Sequence, residues 1–247
     1  PLTTRNGRGF TNWAFIATKD ISTTHGYAKY KERKLMYGLR QAIVNANIET
    51  DYAAELQEAE QVYNNSNATT AELRAATRKL FLASAADLDT SVDASMLFDN
   101  ADMIGNNTTA DWTATSTTIK DGNIEVWHKP FTLEQTQTDL PTGIYDVVFH
   151  GFYRNDGTDK APVVSATAAS AITGSMKERK TIIDNEVLMV TEENTAGAAQ
   201  TLTSDKAQTL LSGIIVDDHK MTLTVDVSSS TQWVNFQGFE LIYRQPL

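Results

Sequence analysis

The sequence predicts an α+β chain of more than one domain, an N-terminal three-helix bundle followed by an antiparallel β-sandwich of the jelly-roll kind. Three observations carry that expectation. Between Lys34 and Ala83 apolar residues recur every three or four positions, the period of helices with one buried face. From Asn123 to Arg154 two β-rich runs alternate apolar and polar residues on either side of Pro141-Thr142-Gly143. Near the C-terminus Met221, Leu223, Val225 and Val227 alternate with Thr222, Thr224 and Asp226, and an apolar run from Trp233 to Tyr243 follows.

With 247 residues and 41% hydrophobic content, the chain can bury one large core or two modest ones. A net charge of -10 and a pI near 4.8 argue against nucleic-acid or anionic-membrane partners, which need a basic stripe. Neutral ligands such as sugars are not disfavoured. The absence of cysteine removes disulfides, thiol catalysis and thiolate metal sites together. No apolar run reaches the length of a membrane span. The chain begins at Pro1 rather than methionine, so a removed leader or lipid anchor is compatible with it.

Residues 1–30 read as an N-terminal arm. Asn6-Gly7 and Arg8-Gly9 are turn signals, and Phe10, Trp13, Phe15 and Ile16 supply a short strand or a flap on a neighbour. Residues 31–90 form the helical bundle. Leu35, Leu39, Ala42, Ile43 and Ala46 share one face; Tyr52, Leu56, Ala59 and Tyr63 make a second stripe, and Leu73, Ala76, Leu80 and Ala83 a third. Thr69-Thr70-Ala71-Glu72 has the form of a capping box, which starts the third helix there. Asp87 to Ser95 loses the helical period and gains short polar residues, which sets a boundary before a sandwich over 95–247.

Within that half, Asn123 to Arg154 reads as a hairpin, with Pro130 forcing a bulge or a sheet edge because it cannot donate to the ladder. Val163, Ser165 and Thr167 read as one strand, and Ile182, Ile183, Val187, Leu188 and Val190 as another. Gly174 to Lys180 reads as an exposed loop and Glu192 to Gly197 as a mobile one. Thr209 and Leu211, with Ile214 and Val216, form a strand before the turn Asp217-Asp218-His219-Lys220. Short antiparallel strands at this spacing close as two sheets.

The pattern Glu125-Val126-Trp127, Phe131, Gln135, Leu140-Pro141-x-Gly143-x-Tyr145 and Gly151-Phe152-Tyr153-Arg154 resembles a β-sandwich of secreted or surface proteins of gut Bacteroidetes. The closing run from Trp233 through Gln237-Gly238 to Tyr243 is similar to the last strand of that group. Those domains resemble galactose-binding-like, carbohydrate-binding-module jelly rolls. Over residues 95–245 the resemblance implies glycan recognition at loops at one end of the sandwich and an extracytoplasmic location: periplasm, outer-membrane surface or secreted. It also implies a first strand over Met96 to Ile104, leading to a partly buried Trp112. Where the group usually shows an Asp-Asn pair this chain has Gln237-Gly238, which weakens any polar or metal role for that corner. The helices resemble the spacers of surface glycan-handling proteins.

No catalytic motif is present, and the chain is expected not to be an enzyme. Its 31 acidic residues allow carboxylate pairs anywhere, with none pinned by a motif. His25, His128, His150 and His219 lack zinc-ligand spacing, and no nucleophile elbow, phosphate loop or dinucleotide fingerprint occurs. Sugar rings stack their C–H faces on aromatics, so the expected carbohydrate-binding residues are Trp112, Trp127 with His128, Tyr153 with Arg154, Asn155 and Asp156, and Trp233. Each aromatic can instead fill the core, Arg154 can pair with a carboxylate, and Asn155-Asp156-Gly157 also reads as a turn. No cofactor is expected beyond calcium at Asp99, Asn100 and Asp102, whose oxygens are close in sequence. That stretch lacks the glycine and distal glutamate of a recognised calcium loop, and a capped turn is the competing reading. A structural or adhesin-like module without sugar binding is the alternative function, and a glycan hydrolase a third.

Overall fold

The computed structural model describes residues 24–103, 109–115, 118–120, 123–154, 160–185, 194–228 and 233–247. Of the arm expected over residues 1–30, positions 1–23 lie outside them and positions 24–30 are helical instead. Helix α1 (Thr24–Asn45) starts well before the first apolar stripe, because its opening turns are polar and carry no period. It ends in a Schellman motif: Asn47 takes a left-handed φ of 57°, and the Ile48 N–H reaches Ile43 O at 3.3 Å. Helices α2 (Ala53–Asn64) and α3 (Thr70–Ser84) follow. The capping box forms as expected, with the Glu72 N–H donating to Thr69 Oγ1 at 3.2 Å and the Thr69 N–H to Glu72 Oε2 at 2.7 Å. α3 packs on both α1 and α2, burying Met36, Leu39, Ile43, Leu73, Leu80 and Phe81.

The remainder builds two sheets, almost wholly antiparallel. One has seven strands: β10 (Gln208–Val216), β6 (Gly143–Arg154), β12 (Trp233–Gln245), β4 (Asn123–Trp127) and β3 (Thr118–Lys120) in that order, with β1 (Val92–Asp93) added to β12 and β9 (Lys177–Glu178) parallel to β6. The other has five in the order β2 (Thr113–Ala114), β5 (Phe131–Gln137), β11 (Met221–Val227), β7 (Val163–Thr167) and β8 (Ala171–Ser175). The sheets stack, with Phe131 of β5 lying on Phe236 of β12 at 5.7 Å between ring centres. A single hydrophobic cluster runs from Met36 of α1 through both sheets to Tyr243. Tyr243 ties the layers together: Phe81 meets its ring edge-on at 5.3 Å, and its hydroxyl donates to Ala85 O at 2.7 Å.

Several expectations need correction. The Asn123 to Arg154 stretch is not a hairpin, because β5 and β6 belong to different sheets and Pro141-Thr142-Gly143 carries the chain between them. His128, at φ 49°, and Pro130 likewise break the run between β4 and β5, which also fall in different sheets. Alternation marks a strand but not its partner. The expected first strand at Met96 is a 3-10 turn over Ser95–Leu97, and the loop expected at Gly174 to Lys180 holds the end of β8 and all of β9. The described chain carries five helices, not three: α4 (Arg179–Asn185) and α5 (Thr195–Leu202) occupy ground read as strand and loop. Ile182 buries while Ile183 stays half-exposed, so helix packing overrides the β preference of branched residues. The Asn194 side chain, in the supposed mobile stretch, caps α5 by accepting from the Gly197 N–H at 2.8 Å.

Candidate functional site

Period two places the site. Val234 and Phe236 of β12 enter the core between the sheets, so Trp233 and Asn235 point to the outer face of the seven-stranded sheet. Trp233 is the register partner of Trp127 on β4 and of Arg154 on β6, so three strands set these residues in one row. Trp233 is 1% exposed, and its Nε1–H donates to Glu125 Oε2 at 3.0 Å. Beneath it a second small core gathers Phe152, Ile182, Ala198, Leu202 and Ala207, which is how α4 and α5 dock on the sheet.

Trp127 stands at the open end of the row and is 47% exposed. The left-handed turn at His128 folds the imidazole back onto the indole, with ring centres 4.2 Å apart and planes within 10°. The Arg154 guanidinium carbon sits 5.1 Å from the Trp127 ring centre and 5.6 Å from that of Trp233, within the range of a cation–π contact. Behind them the buried Arg179 lies 5.8 Å from the Trp233 ring and donates from Nε to Thr201 Oγ1 at 3.2 Å. The corner thus offers an accessible indole braced by two rings, with a cationic donor beside it. That arrangement can stack on an apolar ring face and hydrogen-bond to polar groups at its edge.

Four of the expected residues therefore come together: Trp127, His128, Arg154 and Trp233. Trp112 does not join them. It lies between Phe98 and Phe239 at 6.3 and 5.1 Å, and its Nε1–H donates to the carbonyls of Asp99 and Asn100, so it is core. Tyr153 has the opposite parity to Arg154 and is 8% exposed; burial pushes its hydroxyl up. Asn155 and Asp156 lie outside the described residues. Of the residues expected to hold calcium, Asn100 and Asp102 have protein partners. The Asn100 amide donates to Ala110 O at 3.0 Å, Asp102 pairs with Lys31 at 2.7 Å, and among the described residues no three His, Cys, Asp or Glu are grouped to hold a metal ion. Glu125 was legible as a same-face neighbour of Trp127 two residues on; Arg179 was not, because it arrives on a helix read as loop and strand.

No family model and no curated protein matches this chain. Among solved structures it is similar to TmCBM61 in complex with β-1,4-galactotriose, at 12% identity and a TM-score of 0.35, over 60% of this chain and 98% of that one. It is similar to the CBM36-1 domain of a xylanase from the hindgut metagenome of Trinervitermes trinervoides, at 13% identity and a TM-score of 0.34, over 55% and 91%. A third likeness, at 10% identity and a TM-score of 0.38, is to the enzymatically active domain of bacteriophage CBA120 tailspike protein 4, of which the chain covers 22%. At these scores the likenesses are too loose to carry an assignment. Among the described residues no helix is long and apolar enough to cross a membrane.

Proposed function

We propose that this chain is a non-catalytic carbohydrate-binding protein of an extracytoplasmic surface, its sandwich a galactose-binding-like jelly roll that holds glycan at one end. The observation that supports it is Trp127, the exposed tryptophan among those described, braced by His128 and flanked by Arg154. A surface indole held in a fixed pose loses little side-chain freedom on stacking with a sugar ring, and the guanidinium supplies donors to its hydroxyls. The test is affinity electrophoresis of the full chain through a panel of neutral and acidic polysaccharides. The parent is retarded by at least one, and Trp127→Ala weakens retardation at least about tenfold, or about 1.4 kcal/mol. Trp127 is half in water, so the circular dichroism of the variant matches the parent's. A parent that no polysaccharide retards, or a folded Trp127→Ala that is retarded equally, overturns the reading.

A second reading, a protein-interaction module, is favoured by one observation. Tyr30, Tyr37 and Val44 are exposed at seven-residue spacing along α1 and so share one outward stripe.

A further inference from the structure

Below the Trp127 corner, the outer face of the same sheet carries a second concavity. Along β6, His150 points outward four residues before Arg154, about 13 Å away at ~3.3 Å per residue. Its row holds Gly238 of β12 and Gln208 of β10. One wall comes from α1 and the loop before Met103, through Lys31 and Asp102; the opposite wall is the chain that leaves α5, from Leu202 to Asp205. Together they enclose a groove of about 350 Å³, to which Gln237 and Glu240 also contribute. That volume lies at the small end of ligand pockets, which run from roughly 300 to 1,000 Å³.

The lining is polar, and each of its carboxylates has a polar neighbour. Lys31 Nζ meets Asp102 Oδ2 at 2.7 Å, His150 Nε2 meets Glu240 Oε1 at 3.4 Å, and Gln208 Nε2 donates to Asp205 Oδ1 at 3.4 Å. The His150 imidazole beside it holds Glu240 below the usual carboxylate range, so at neutral pH it presents an ionised acceptor. With Lys31 set against Asp102, Asp205 and Glu240, the lining is net negative, which disfavours an anion and suits a ligand rich in hydroxyl donors. A neutral ligand with adjacent donors and acceptors finds planar carboxylate, imidazole and amide groups of matching reach. Phe239, 3% exposed, offers no ring face for stacking, so the groove binds through hydrogen bonds alone.

We infer that this groove, at His150, Gln208, Gln237 and Glu240, is a second and weaker subsite for a neutral sugar ring with neighbouring hydroxyls. The inference rests on the sugar-binding reading above and extends it, since two subsites on one sheet face engage one glycan chain with a gain from effective concentration. Each site contains its own reporter, His128 at the corner and His150 in the groove, with His219 in the β10–β11 turn as a bystander.

The full chain, labelled at histidine, is titrated with neutral methyl glycosides of glucose, galactose and xylose while the imidazole C–H resonances are followed by NMR; His150→Gln assigns one of them. The His150 signal is expected to move saturably with at least one sugar, at least fivefold less tightly in Gln208→Ala and Gln237→Ala, while the His128 response is unchanged in those variants. Movement of His128 alone, or a His150 response indifferent to both glutamine variants, overturns the groove and leaves the corner standing. Movement of His150 alone keeps the groove and overturns the corner. Stillness of both overturns both.

Discussion

The two sheets treat their outer faces in opposite ways. In the five-stranded sheet β5 alternates strictly: Phe131, Leu133 and Gln135 are buried while Thr132, Glu134 and Thr136 are exposed, and β11 alternates likewise, with Thr222 and Thr224 half-buried and Asp226 exposed. That face meets water. In the seven-stranded sheet β6 and β12 are buried on both faces for most of their length, because α4 and α5 cover one region of it and α1 stands beside another. The uncovered ground on that sheet is where the Trp127 corner and the His150 groove lie. Strands buried on both sides announce a further layer, and the edges of that layer make the concavities that a bare sheet lacks.

The sharpest way to break this comparison is to substitute one outward residue on each sheet. Trp233→Ala removes a fully buried indole, the bond it donates to Glu125 and the anchor of α4 and α5, and should cost about 3–5 kcal/mol. Thr224→Ala, outward on β11, should stay within about 0.5 kcal/mol. Urea unfolding of both variants measures the difference. Equal losses would mean that the helical cover contributes nothing to the sheet beneath it.

The same contrast explains what was legible. On the bare sheet β11 was legible, since Met221, Leu223, Val225 and Val227 need only the period of a strand with one face to water, whereas the end of β8 fell in a stretch that reads as loop. The strand at Thr209 and Leu211 was legible too, and the break in parity before Ile214 is a bulge at Gly213, where φ is 73°. The covered face was not. Phe152 and Trp233 look like ordinary sheet residues until α4 arrives, and α4 hid because Ile182 and Ile183 prefer strands locally. Of the candidate site, Trp127, His128, Arg154 and Trp233 could be named from the sequence. Their row could not, because pairing of β4, β12 and β6 is a long-range choice that alternation leaves open.

A smaller effect sits where the helices meet the covered sheet. Glu32 of α1 is buried there and accepts from Arg74 Nε at 2.9 Å and Nη2 at 2.8 Å. Burial nevertheless outweighs the guanidinium and raises the Glu32 carboxyl above its ordinary range, with Asp102 and Asp93 adding to the rise. A raised carboxyl holds its proton more tightly in the folded chain, so its stabilising share is full below the unfolded value near about 4.3 and is lost as pH climbs through the folded one. Glu32→Gln should therefore match the parent at acid pH and exceed it at neutral pH in thermal unfolding. A variant that is weaker at neutral pH would show that the Arg74 pair, not burial, governs this junction.

The smallest effect belongs to the bare sheet. Thr136 of β5 and Thr222 of β11 are register partners, and their hydroxyls lie 2.8 Å apart on the exposed face. Replacing both by valine deletes a hydrogen bond that water can replace, keeps the branched shape the strand favours, and leaves no buried polar group behind. The double variant should unfold within about 0.5 kcal/mol of the parent, with coupling between the two sites no larger than a cross-strand pair supplies, about 0.2–1 kcal/mol. A loss of several kcal/mol would mean that this face, too, is covered, and the distinction between the sheets would fail at its simplest point.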